Sequence, residues 1–304
     1  MKRPLNIVIT GASGQLGSEL QRILASGMAE IGPIPQAFVD AHVVSVDAAH
    51  LDIADAAAVD AFFAKTPCDV AINCAAMTNV DGCEQNEELA FAVNAHGPAN
   101  LARACVANDV KLVHISTDYV FPGNEEGERV EADPTAPLSA YGRSKLAGEQ
   151  AVQEAMEDFC IVRTAWLYGY VGKNFVKTML NLARTNGAIA VVGDQWGNPT
   201  SANDLAYAIL RLVAADERGL FHCTNNGVCS WFDLAARSTE LAGIPCEKEC
   251  LTSEEYKRRF PQSADRPHHS ALANRRLEQT VGDPMRHWEE ALESYFANFD
   301  ELAR

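Results

Sequence analysis

The chain has 304 residues, 47% hydrophobic and 22% charged, which is enough for one large domain or two intimate ones with a substantial core. Its formal net charge of −16 argues against binding a nucleic-acid backbone over a broad surface. No run approaches the roughly 20 apolar residues that a membrane span requires.

Taken in chain order, the apolar periodicity predicts a strand over 5–10 and a helix over 15–25. A Gly- and Pro-containing insertion over 26–41 comes next. A strand over 43–46 and a helix over 54–65 follow, then a strand over 69–73 and one long helix over 84–108. The next strand covers 111–116. A polar loop runs from there to 138, before a helix over 139–157 and a strand over 159–164. Repeated strand–helix units of this kind predict an α/β fold, a doubly wound parallel sheet covered by helices on both faces. Beyond Trp166 the pattern loosens: helices over 174–185, 201–214, 231–242 and 285–297, and strands over 188–192 and 220–222.

Nine cysteines are dispersed without Cys-x2-Cys pairs, and Cys68, Cys74, Cys105 and Cys160 fall in apolar contexts. Buried free thiols are expected rather than disulfides or metal ligands. His268-His269 stands apart from other ligand types. The start, Met1-Lys-Arg-Pro, lacks the apolar region of a signal peptide, so a cytoplasmic protein is expected.

Asn6–Thr10 leads into Gly11-Ala-Ser-Gly14-Gln15-Leu16-Gly17. This strand–glycine–helix turn is the form of a dinucleotide site. Gly11 allows the turn, Gly14 lets the backbone approach a pyrophosphate, and Gly17 lets the helix pack close. The helix N-terminus then offers free N–H groups to the phosphates. Asp47, closing the second strand, would accept from ribose hydroxyls and disfavour a 2′-phosphate. With no arginine beside it, it favours NADH over NADPH without excluding the latter. Asp52-Ile53 is placed near an adenine. Asn73-Cys74-Ala75-Ala76-Met77-Thr78 closes the third strand with small residues that allow close backbone approach. Residues 1–165 thus read as an NAD(P)-binding Rossmann-type domain, to which parts of 195–222 return. Residues 166–304 read mainly as a smaller substrate-binding cap over the sheet's carboxyl edge.

Ser116-Thr117-Asp118 ends the fourth strand, and Tyr141 and Lys145 lie four residues apart on the following helix, hence on one face. An ammonium beside a phenol lowers a tyrosine pKa that is ordinarily near 10. Tyr141 is therefore the candidate proton donor, with Lys145 tuning it and holding a nicotinamide ribose. The Thr117 hydroxyl is expected to hydrogen-bond a substrate carbonyl. Trp166 suits either core packing or a sugar C–H face, and Asn174 either a helix cap or a diphosphate contact. Asp194 and Gln195 suit a turn. Arg266 is a candidate diphosphate anchor.

Together, Gly-x2-Gly-x2-Gly, Asn73-x-Ala-Ala, Ser116-Thr-Asp-Tyr-Val-Phe121 and Tyr141-x3-Lys145 resemble the extended short-chain dehydrogenases/reductases. Arg163-Thr-Ala-Trp-Leu-Tyr168, Asn174-Phe175, Gly193-Asp-Gln-Trp-Gly-Asn-Pro-Thr200 and Arg266-Pro267 narrow this. They are similar to the dTDP-4-dehydrorhamnose reductase family, over about 5–290. That resemblance implies NAD(P)H-dependent reduction of the 4-keto group of a dTDP-4-dehydro sugar, with Tyr141, Lys145 and Thr117 catalytic. It also implies cofactor contacts at Gly14-Gln15-Leu16, Asp52-Ile53 and Ala76-Met77-Thr78, and sugar contacts at Thr117, Asp118 and Trp166. Some members bind Mg2+ through glutamates at a homodimer interface. Glu19 matches one such position, or is a solvated helix residue. Asn203 stands where another glutamate is expected, which counts against a metal-bridged dimer. The alternatives are a nucleotide-sugar epimerase or dehydratase, or a non-catalytic regulatory subunit. Tyr119 replaces the glutamate that a dehydratase is expected to carry after Asp118.

Overall fold

A computed structural model describes residues 3–302. Six strands form one parallel sheet: β1 (Asn6–Thr10), β2 (His42–Val46), β3 (Val70–Asn73), β4 (Lys111–Thr117), β5 (Phe159–Thr164) and, after an intervening β6 (Ala188–Val192), β7 (Gly219–His222). Their spatial order is β2-β1-β3-β4-β5-β7. The order reverses between β1 and β3, and in open α/β sheets the crevice at such a switch point takes the ligand.

Side chains alternate across the strands, as pleating demands. On one face Ile7, Ile9, Ile72, Val113 and Val162 pack under α1 (Gln15–Ser26) and a later helix, Ala202–Ala214. On the other face Val8, Ala71, Leu112 and Ile161 pack under α2 (Ala56–Lys65), α3 (Gly97–Asn108) and α4 (Ala140–Ala155). Burial on both faces explains why these strands read as continuous apolar runs. The remaining long helices are α5 (Phe175–Asn186), α6 (Ala202–Ala214), α7 (Trp231–Leu241) and α8 (Trp288–Leu302). Parts of α5, α7 and α8 share a separate core containing Tyr168, Leu180, Leu234 and Tyr295. Beside it, β6 pairs in parallel with β8 (Glu247–Leu251). Neither β8 nor the short helices Ser253–Arg259 and Arg275–Val281 had been expected from periodicity.

The single helix expected over 84–108 is broken. Val80–Gln85 and Glu87–Phe91 are separate short helices, and a π turn at Ala92–His96 joins the second to α3. Asn86 accounts for the first break by accepting from Leu89 N at 3.1 Å, an alternative to continuing the helix. The 26–41 insertion folds into a two-residue hairpin, Met28–Ala29 against Gly32–Pro33. Its tip residue, Glu30, accepts from Tyr170 Oη at 2.8 Å and Ser294 Oγ at 2.6 Å, docking the insertion against the C-terminal part.

Ser139 caps α4 by accepting from Gly142 N at 3.1 Å. Its inward stripe carries Tyr141, Lys145 and Glu149 at i, i+4, i+8. Glu149, fully buried, accepts a two-pronged contact from Arg163 on β5 at 2.9 and 2.7 Å and a bond from Ser116 on β4 at 2.5 Å. Removing the carboxylate would strand the Arg163 cation in the interior. Glu149→Ala is expected to lower the unfolding free energy in urea by about 3–5 kcal/mol. A double replacement of Glu149 and Arg163 by methionine should recover most of that loss.

Candidate active site

The first turn off β1 is shaped by Gly11, at φ +64°. There a Cβ would lie 2.6 Å from the Ala75 amide nitrogen. The close approach of this turn to the end of β3 sets the floor of a cavity of about 510 Å3. Helix α1 begins at Gly14 with no side-chain cap and no acidic residue in its first turn. Its leading amides and positive dipole end therefore remain available to an anion. Gly14, Gln15, Leu16 and Gly17 line the cavity from this side, and Ala76 and Thr78 from the end of β3. A dinucleotide pyrophosphate fits this uncapped terminus.

The opposite wall carries Thr117 and Asp118 from the end of β4, and Tyr141 and Lys145 from α4. The sequence placed these four together, and so does the structure. Burial pushes Lys145 down to about 8, partly offset by Glu149 and Cys74, and its Nζ donates to the Ile115 carbonyl at 2.6 Å. The expected lowering of the Tyr141 pKa by Lys145 is not seen. Burial raises the Tyr141 phenol above its ordinary value, against the opposing pull of the Thr117 hydroxyl. Tyr141 is thus held protonated, the form from which it can donate.

The Thr117 hydroxyl donates to Asp118 Oδ1 at 2.9 Å and accepts from Tyr119 N at 3.2 Å. Asp118 is buried, and burial pushes its carboxyl up to about 6.

Trp166 lines the cavity in a left-handed backbone conformation, φ +47°, rare for a bulky residue. Its ring lies flat on Trp231 with centroids 3.5 Å apart and planes 7° apart, and Phe175 leans on Trp231 at 4.4 Å. Asn174 proves to be a helix cap. It accepts from Lys177 N at 2.9 Å, while its amide donates to Gln15 Oε1 at 3.0 Å, tying the C-terminal part to the glycine turn.

Other sequence candidates lie outside this cavity. Asp47 accepts from Ala49 N and pairs with His50 at 2.8 Å. Asp52 accepts from Ala54 N at 2.9 Å, and the Ile53 side chain is core, packed where a Cβ on Gly97 would stand. Ala75 N is held by Asn73, and the Met77 amide and carbonyl are both held by Asn94. Arg266 faces Asp81 at 3.5 Å and lines a second cavity, of about 670 Å3, with Asp194 and Gln195. Glu19 is not solvated: it is 3% exposed and accepts from Arg22 at 2.8 Å and Asn203 at 3.0 Å. Among the described residues no cluster of three metal-ligating side chains occurs. All nine cysteines are free. Cys105 and Cys160 are buried as expected, Cys68 and Cys74 are partly exposed, and Cys250 is exposed.

Several cavity residues and one support had not been singled out for the site, Ile115 and Gly172 among them. Trp231 had been read only as the start of a helix, and Lys173 had not been considered. Asn94 sits in the π turn and joins Met77 to Ser144 of α4, with Nδ2 donating at 3.1 Å. Such turns recur at functional sites, but nothing in the local pattern around Asn94 shows one.

A parallel sheet with an uncapped helix at its switch point, and a Tyr–Lys pair across the same cavity, defines a Rossmann-type short-chain dehydrogenase/reductase. Residues 5–301 match the family model described as RmlD substrate binding domain. The chain is 44% identical over 294 residues to a dTDP-4-dehydrorhamnose reductase of Mycolicibacterium smegmatis, covering 96% of this chain and 85% of that protein. It is similar to the crystal structure of a dTDP-4-dehydrorhamnose reductase from Clostridium acetobutylicum, with TM-score 0.90 and 43% identity over 97% of this chain and 100% of that one. The structure of such a reductase from Bacillus anthracis in complex with NADP gives TM-score 0.89 and 37% identity, again over 97% and 100%. The chain belongs to the dTDP-4-dehydrorhamnose reductase family.

The stacked indoles give a direct check on the site's aromatic wall. Trp166→Phe and Trp231→Phe should each abolish the same near-ultraviolet circular dichroism couplet. Each should lower stability by about 1 kcal/mol, the scale of one aromatic pair.

Proposed function

We propose that the protein reduces the 4-keto group of a dTDP-4-dehydro-6-deoxyhexose, dTDP-4-dehydro-β-L-rhamnose, to the 4-hydroxyl, as a dTDP-4-dehydrorhamnose reductase. The observation that carries this is the convergence of Tyr141, Lys145, Thr117 and the uncapped N-terminus of α1 on one cavity. Family membership over nearly the whole chain supports the substrate class.

A reduced nicotinamide, when bound, supplies the hydride. The first turn of α1 would hold its pyrophosphate, and Lys145 would hold its ribose. Tyr141 gives its proton to the carbonyl oxygen as negative charge develops there. The Lys145 ammonium, once its neighbourhood is filled, stabilises the phenolate left behind. The wall of Trp166 on Trp231 gives the sugar ring a flat apolar face and excludes water. Arg266, only loosely paired with Asp81, is the cation proposed to take the diphosphate. In this reading the substrate-binding part is 166–304, apart from the segment within 195–222 that packs on the main sheet. No described helix is long and apolar enough to cross a membrane, which accords with a cytoplasmic enzyme.

The decisive assay follows oxidation of NADH and NADPH with the dTDP-4-keto-6-deoxyhexose. Tyr141→Phe should bind cofactor as the parent does and lose at least about 100-fold in kcat, the lower range for a positioned acid. Retained turnover would refute Tyr141 as donor. Asp47, the acid after β2, should set the cofactor preference. Asp47→Ala is expected to move the kcat/KM ratio towards NADPH by roughly tenfold, as a like charge beside the 2′-phosphate is removed.

A further inference from the structure

Trp166 holds its backbone at φ +47°, a conformation that a bulky residue keeps only where its surroundings impose it. Strain of this kind gathers at ligand clamps. The surroundings here come from one distant segment, residues 196–201. Thr200 N donates to the Trp166 carbonyl at 3.3 Å, and Thr200–Ser201 pairs in parallel with Leu167–Tyr168 just beyond it. The other end of the segment reaches the second indole. Trp196–Gly197 runs antiparallel to Cys229–Ser230, with Gly197 opposite Cys229, and Ser230 caps α7, the helix that Trp231 opens. A single stretch of chain thus brackets both stacked rings.

Gly197 is where that stretch meets the Trp166 indole. It is buried and its φ lies outside the left-handed region, so its backbone would accept other residues. Space is what bars a side chain. A Cβ there would stand 2.6 Å from Cε2 of Trp166, 2.7 Å from Nε1 and 2.8 Å from Cζ2, and these are its three nearest atoms. The indole already rests on Trp231, with centroids 3.5 Å apart, and has no slack on that side. A methyl group at 197 would therefore unseat the ring. Both indoles line the cavity, whereas Gly197 itself does not.

Resting on the reading of Trp166 as part of the sugar subsite, we propose that Gly197 is a positioning residue for the substrate. By carrying no side chain it seats the Trp166 indole against Trp231, and so sets the shape of the wall that the 4-keto-6-deoxyhexose meets. It acts through Trp166 and not on a ligand. The cofactor side of the cavity, formed by the first turn of α1 and the end of β3, belongs to other elements and keeps its shape.

The test is a double-mutant cycle on the full chain. It reads KM and kcat for the dTDP-4-keto-6-deoxyhexose at saturating reduced cofactor, the Kd of NADPH by fluorescence, and the near-ultraviolet circular dichroism couplet of the indole stack. Gly197→Ala should weaken the couplet and raise KM about tenfold, the scale of one aromatic contact. Its kcat and NADPH Kd should stay within about twofold of the parent, the pattern of lost ground-state binding. A phenylalanine at 166 has a single, smaller ring that clears the new methyl. In a Trp166→Phe background, Gly197→Ala should therefore change KM by less than about twofold. An unchanged couplet and KM in Gly197→Ala overturn the proposal. A lost couplet with unchanged KM also overturns it, since the substrate would not then read the seated ring. An equal rise in KM in both backgrounds does so too, because Gly197 would act other than through Trp166. Should Gly197→Ala fail to fold, the double variant decides: it should fold and share the KM of Trp166→Phe, and its failure to fold overturns the proposal. A parent enzyme with no turnover of this substrate would refute the functional reading, and this inference with it. Parent turnover without the expected cycle refutes only the role of Gly197.

Discussion

One helical turn beyond Lys145, the fully buried Glu149 carboxylate accepts from Ser116 on β4 and from both prongs of Arg163 on β5. These contacts fix the roll and height of α4 against the two strands whose carboxyl ends face the cavity. Tyr141 and Lys145 inherit their positions from that docking, because they stand on the same stripe of the helix. The pair is buried at both ends, so its worth lies less in net stability than in admitting one arrangement: a shifted helix would leave a charge without its partner. The Arg163 guanidinium also lies 5.0 Å from the centre of the Phe121 ring, just beyond the turn at the end of β4.

The other side of α4 is held by the irregular segment before α3. Asn94 bonds the Met77 backbone through both ends of its amide and reaches Ser144 on α4. The helix comes so close that a Cβ on Gly148 would stand 2.2 Å from the Asn94 carbonyl oxygen. The π turn gives Asn94 the inward position that a regular helix over 84–108 would not supply. The end of β3 and the inward stripe of α4 are thus joined through one amide.

Local chemistry made part of this legible in the sequence. Gly11 and Gly14 after an apolar run, and Tyr141 and Lys145 at helical spacing, are short-range signals, and their elements form within a residue or two of the expected bounds. The parallel doubly wound sheet follows from the alternation of strands and helices. What was illegible depends on partners distant in the chain. The Glu149–Arg163 pair, the Trp166–Trp231 stack and the Asn94 bridge each join residues whose sequence contexts look ordinary. Glu19 illustrates the same point in reverse. Its context is that of an exposed helix acid, yet Asn203, far along the chain, covers it and takes one of its oxygens. A side chain's charge is local information; its burial is not.

Burial sets the electrostatics of the cavity. Burial alone raises the Tyr141 phenol and lowers the Lys145 ammonium, each towards its neutral form. Lowered only to about 8, Lys145 still carries its charge at neutral pH, and a nearby cation is what a phenolate in a dry cavity requires. In the proposed reading, negative charge from phosphate oxygens or a developing alkoxide would further favour the charged form of Lys145, and that ammonium favours the phenolate. The overall charge of the chain is −16. In the proposed reading, an anionic ligand meets a few local donors, the open turn of α1 and Lys145, rather than the protein's general field.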